Sequence, residues 1–138
     1  MLTEKIVTSI SGLQAFLIYF VASIFLFVAF AFIYAMVTPY REFRLISEGN
    51  TAAAYSYSGA LLGFAIPLAS SIIHSVGLID MLIWGIIALI VQIVTFLVVK
   101  LIYPAIVLDI PANQTSKGMF LGTVSVVTGI LNAACMTY

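Results

Sequence analysis

Four long apolar runs, separated by short polar breaks, organise the chain. The first extends from Ala15 to Val37 without a charge, the second from about Thr51 to Ile73, the third from Met81 to Val99 and the fourth from about Gly118 to Tyr138. Each comes close to the roughly 20 apolar residues that a helix needs to cross a bilayer core. They are too long, and alternate too little, to be strands of a membrane barrel. Ser, Thr and Gly interrupt the second and fourth runs; the third is unbroken up to Lys100, whose long side chain can snorkel to the interface. The pattern predicts an all-α polytopic membrane protein of four transmembrane helices, one domain over 1–138. Glu4 and Lys5 cancel ahead of the first run, which is too long for a cleaved signal, so a retained helix is expected there.

Composition sharpens that picture. The 138 residues are 64% hydrophobic and 7% charged, with five basic and five acidic side chains. Ten charges cannot furnish a water-facing surface on a chain of this size, and the same figures exclude disorder, coiled coil and a disulfide scaffold. The charges do indicate an orientation. Arg41, Arg44, Lys100 and Lys117 lie in the first and third loops, and only Lys5 lies on the other side. Basic residues stay in the cytoplasm, so loops one and three are expected there and both termini outside, in the periplasm of a Gram-negative cell.

The two halves look related. Asn50 precedes Gly59 by the spacing that separates Asn113 from Gly122, and Pro39 and Pro104 close the two odd-numbered spans. These matches predict two parallel two-helix repeats, about 13–73 and about 80–138, with each Asn standing where a loop leads into an even-numbered span. The even spans hold the small residues: Gly59 and Gly63 form one GxxxG, Gly118 and Gly122 another, and Gly129 continues the second face. Such spacing lets helix backbones approach closely. Spans two and four are therefore expected at the centre, within one chain or between chains, with the bulkier spans one and three turned more to lipid.

Several stretches resemble the YjfL-like family of small bacterial inner-membrane proteins: Glu48-Gly49-Asn50-Thr51-Ala52-Ala53-Ala54 with Gly59, Gly63 and Ile66-Pro67-Leu68; Asp80 with Trp84-Gly85, Ala88 and Gln92; and Gly129-Ile130-Leu131-Asn132-Ala133-Ala134 with Met136-Thr137. The likeness covers nearly all four spans. It implies an inner-membrane location and a duplicated two-helix unit, and it implies no reaction. The second half lacks the Glu-Gly before its Asn, so a role for Glu48 and Gly49 would not be duplicated.

Asp80, Trp84, Ala88 and Gln92 recur every four residues, which places them on one helical face. With Asn132 they could form a polar stripe along which an ion or small solute moves. The competing reading is favoured: Asp80 caps span three, Trp84 anchors at the interface, and Gln92 and Asn132 bond to neighbouring helices. Asn50 or Thr51 can cap span two, Gly49 permits a tight turn, and Glu48 complements the helix dipole. Pro67 removes a backbone donor inside span two and predicts a kink. His74 and Cys135 stand alone in the sequence, so neither a metal site nor an intrachain disulfide is expected. No ionisable residue lies deep in a span, where an ion-coupled transporter usually keeps one. No catalytic constellation, cofactor motif or basic nucleic-acid face is present.

The sequence therefore points to a non-enzymatic membrane protein without cofactors. The first expectation is a homo-oligomeric membrane-organising or scaffold component, with its cytoplasmic loops available to a protein partner. The alternative is a small passive channel or carrier for an ion or small solute, lined by Gln92, Asn132 and the Ser-rich face of span two.

Overall fold

The computed structural model describes residues 1–136. Among these, all regular structure is helical, in the order α1 (Leu2–Val37), α2 (Glu42–Ser47), α3 (Thr51–His74), α4 (Leu78–Ile102), α5 (Ile106–Asp109) and α6 (Thr115–Cys135). The four long helices are each long and apolar enough to cross a membrane. The fourth span ends at Cys135 rather than Tyr138; Tyr138 and Thr137 lie outside the described residues. The third span is longer than expected at both ends.

The largest departure is in α1, which begins at Leu2 instead of Ala15. No Pro interrupts residues 2–14, and Thr8 and Ser11 return their hydroxyls to Glu4 O at 2.8 Å and Thr8 O at 2.7 Å, so the polar positions do not break the helix. At 1.5 Å per residue α1 is about 54 Å long, against a hydrocarbon core of about 30 Å. Residues 2–18 are exposed, and full burial starts only with Leu26, Phe30 and Tyr34.

The core is a compact meeting of α3 and α6, and all five expected packing glycines lie in it. A Cβ on Gly59 would overlap Gly122 Cα, one on Gly118 would overlap Ala52 O, and one on Gly129 would overlap Gly63 O. On Gly122 it would stand 2.5 Å from Tyr55 O, and on Gly63 it would overlap Ser125 O and stand 2.7 Å from Gln92 Nε2. Both glycine faces are thus used within one chain. Pro67 accounts for part of this contact. It lacks the N–H that would bond to Gly63 O one turn back, and the freed carbonyl oxygen faces Gly129. α4 closes one side of the pair through Met81, Ala88, Gln92 and Phe96, and is covered no less fully than α6, whose far side is open. The lower half of α1 adds Phe30, stacked on Phe64 with centroids 4.4 Å apart.

Each odd-numbered span stops two residues before its proline, at Val37 and Ile102. The chain then folds back through a short helix rather than an open loop. α2 is closed by Gly49 at φ +86°, with Asn50 N–H donating to Leu45 O at 2.9 Å. α5 is closed by Asn113 at φ +61°, with Gln114 N–H donating to Asp109 O at 3.0 Å. Asn113 therefore occupies the place of Gly49, not that of Asn50. Asn tolerates the left-handed region better than other non-glycine residues, and it is this tolerance, rather than capping of its own helix, that its position uses. α6 starts at Gln114 without a side-chain cap.

Candidate polar site at the end of the bundle

The two short helices lie at the same end and interlock. Asn50 accepts from Ala53 N–H at 2.8 Å and so caps α3, while its amide donates to Ile110 O at 3.0 Å and Pro111 O at 3.3 Å. Asn113 Oδ1 accepts from the Thr51 hydroxyl at 3.0 Å and from Ala52 N–H at 3.2 Å. Both asparagines thus serve the first turn of α3. Glu48 remains on the surface, where its carboxylate accepts from Arg44 Nε at 3.1 Å. That exposed pair contributes little to stability.

Behind this end lies a buried acid flanked in sequence by Arg41 and Arg44. Glu42, the first residue of α2, is only 1% exposed. Neither carboxylate oxygen has a hydrogen-bond partner among the described residues. Thr38 lies beside the carboxyl group, but its hydroxyl is directed to Ala35 O at 3.1 Å and Tyr40 O at 3.3 Å. Burial lifts the Glu42 carboxyl from its ordinary 4.5 to about 8, with Thr38 pulling the other way. Burial, then the nearby Glu42 charge, likewise raises the Tyr40 hydroxyl far above its ordinary value, against a lowering by Ser56.

More unpartnered polar atoms continue inward. The buried hydroxyls of Tyr34, Tyr40 and Ser125 and the Gln92 Oε1 atom all lack a partner. Tyr34 lies beside both Glu42 and Ser125. Gln92 Nε2 donates to Ser125 O at 3.0 Å. Ser125 and Gln92 lie ten residues from the α5 ends of their helices, about 15 Å along each axis. The polar groups therefore run from the end of the bundle to its middle. Aromatic rings wall the outer part: Tyr34 meets Tyr57 at 6.1 Å and Phe96 at 5.8 Å, and Tyr57 meets Phe43 at 5.3 Å. Tyr40 also lines a surface cavity of about 240 Å³, together with Arg41, Arg44, Leu45, Glu48 and Pro111.

The expected polar stripe does not converge. Gln92 joins Ser125, but Asn132 lies seven residues, about 10 Å, farther along α6, half-buried with Nδ2 unpartnered. Asp80 is the third residue of α4, not its cap, and accepts from Val76 N–H at 3.1 Å. Trp84 is half-buried on the same helix. His74 Nδ1 donates to Ser70 O at 2.9 Å. No cluster of three metal-ligating side chains occurs among the described residues.

Residues 8–136 match the family described as Domain of Unknown Function (DUF350). The chain belongs to that family. It is 43% identical over 129 residues to the UPF0719 inner membrane protein YjfL of Escherichia coli K12, covering 94% of this chain and 98% of that protein. It is 25% identical over 91 residues to the UPF0719 transmembrane protein YshE of Bacillus subtilis, covering 66% of this chain and 68% of that one. No solved structure matches the chain. The YjfL-like resemblance of the sequence is thereby established, and the chain is a membrane protein of four candidate spanning helices. The names of these relatives state a membrane location and no reaction.

Proposed function

We propose that this protein is a small, non-enzymatic carrier or conduit for an ion or small solute in the bacterial inner membrane, with the α2 and α5 end in the cytoplasm. One observation carries the reading. A run of buried polar atoms without partners leads from the aromatic-walled end to Gln92 and Ser125 at mid-bundle. Each such atom costs about 1–3 kcal/mol when desolvated and unpaired. A protein that served only as packing material would be expected to fill these positions with apolar side chains. The test is flux into liposomes holding the purified full-length chain, measured for a panel of ions and small solutes. Selective flux above that of empty vesicles, reduced at least about tenfold in Gln92→Leu, supports the carrier. Flux equal to that of empty vesicles for the whole panel overturns it.

A homo-oligomeric organising role is a second reading, and it rests on α1. Residues 2–14 of this helix are exposed, although Leu2, Ile6, Ile10, Leu13 and Leu17 follow one another at helical spacing. The interior glycines no longer support it, because both of their faces are used within one chain. Mass measurement in nanodiscs tests the reading: a multimer that becomes monomeric on removal of residues 2–14 supports it, and a wild-type monomer excludes it.

A further inference from the structure

We propose that Glu42 is a proton-binding site, taking up a proton from the α2 side of the membrane and releasing it there, with α2 acting as the stopper that hides the neutral carboxyl group. This deepens the carrier reading by naming an ion that the site takes, and it rests on that reading only for what the proton drives.

The argument starts from geometry. A carboxylate inside a low-dielectric bundle is strongly destabilised unless a cation or hydrogen-bond donors compensate it. Among the described residues the single ion pair is Arg44 with Glu48, both exposed, and it leaves Glu42 uncompensated. Both oxygens of Glu42 are unpartnered. From α1 the group is faced by Tyr34, from the connecting segment by Tyr40, and from α3 by Tyr57. α4 and α6 contribute the uncharged Gln92, Thr95 and Ser125 to the same interior. Arg41 is exposed, and Asp109 of α5 accepts from the Tyr103 hydroxyl at 2.9 Å. The titratable neighbours are thus tyrosines, which stay neutral near pH 7 and cannot balance a charge on Glu42. The environment selects the protonated acid.

Tyr40 separates Glu42 from a surface cavity. Tyr40 lines this cavity, and its buried hydroxyl lies beside Ser56 and near Glu42. On release the carboxyl O–H bond breaks, the electron pair stays on the oxygen, and the proton passes to water in the cavity. No electron is transferred and no co-reactant is consumed. The resulting carboxylate has no partner inside, so the ionised state favours outward movement of α2, which consists of only six residues. Arg41 and Arg44 at the rim then become available to it.

The test uses the full-length protein in lipid nanodiscs, titrated from about pH 6 to about pH 10 and followed by infrared difference spectroscopy. The expected result is a protonated-carboxyl band that disappears with a midpoint at least about two pH units above that of an ordinary glutamate. It should be absent from Glu42→Gln and present, at a shifted midpoint, in Glu42→Asp. Glu48→Gln should leave it unchanged. Absence of the band from the wild type at pH 6, or its persistence in a folded Glu42→Gln protein, overturns the proposal. The liposome assay reads separately. A titrating Glu42 in a protein that moves no solute keeps the proton site and removes the carrier reading, whereas flux without a titrating Glu42 does the reverse.

Discussion

Gly129 meets the carbonyl oxygen of Gly63 so closely that a Cβ on the former would overlap it. The oxygen is free to be approached because Pro67 supplies no N–H to it, and a Cα–H···O contact is the natural outcome. Gly129→Leu or Gly122→Leu must force α3 and α6 apart, since the obstructing atoms are backbone and cannot rotate away. Overpacking in cores commonly costs about 1–3 kcal/mol, and these variants should reach or exceed that range. A marked drop in melting temperature in detergent is expected for both. Gly12→Leu is the control, because nothing lies within 4 Å of a Cβ there. Equal melting temperatures for all three would contradict the close contact.

Stability should depend on pH through Glu42. Its folded-state carboxyl is raised from 4.5 to about 8, so the folded chain holds the proton more tightly than the unfolded one. The wild type is then most stable below about pH 4.5, loses up to about 1.4 kcal/mol per pH unit as pH rises toward 8, and levels off above. Glu42→Gln should lack this decline and be the more stable protein at pH 8 by a few kcal/mol. Parallel melting curves across the window for the two proteins would refute the expectation.

The two asparagines predict different losses. Asn113→Gly keeps the left-handed turn but removes the oxygen that accepts from Thr51 and Ala52. Loss of a cap costs about 0.5–2 kcal/mol, and hydrogen exchange at the Ala52 amide should accelerate accordingly. Asn50→Ala removes the Ala53 cap together with the ties to Ile110 and Pro111, so its effect should be larger. The reverse order would show that the α5 connection is not held from α3.

Orientation is open to direct labelling. In a Cys135→Ser background, Thr3→Cys should react with a membrane-impermeant thiol reagent on spheroplasts and Ser47→Cys should not, because loops one and three carry four of the five basic residues. The opposite pattern would invert the assignment.

The four spans were legible because membrane-crossing length and apolarity are properties of single segments. The glycine faces were legible as motifs, but sequence does not reveal whether such a face meets a helix of its own chain. The equal spacing of Asn50 and Asn113 to a following glycine suggests that the two are equivalent; backbone dihedrals decide otherwise, and a one-residue shift leaves no trace in composition. Glu42 was hidden by its neighbours. Between Arg41 and Arg44 it looks like part of a solvated loop. The available signal was weaker: Pro39 turns the chain back under the bundle, and Glu42 and Leu45, three residues apart, form the inward edge of a single helical turn.

The capping of α3 by Asn113 also bears on how the chain is made. Thr51 and Asn113 are 62 residues apart. At a synthesis rate of about 5–20 residues per second, the start of α3 leaves the ribosome roughly 3–12 s before the side chain that completes that helix end. During that interval the nascent hairpin carries an unfinished helix end and an uncovered glycine face in the bilayer. Closure of the fold therefore waits for the last helix, and a chain released early would present both unfinished surfaces to the quality-control proteases of the membrane.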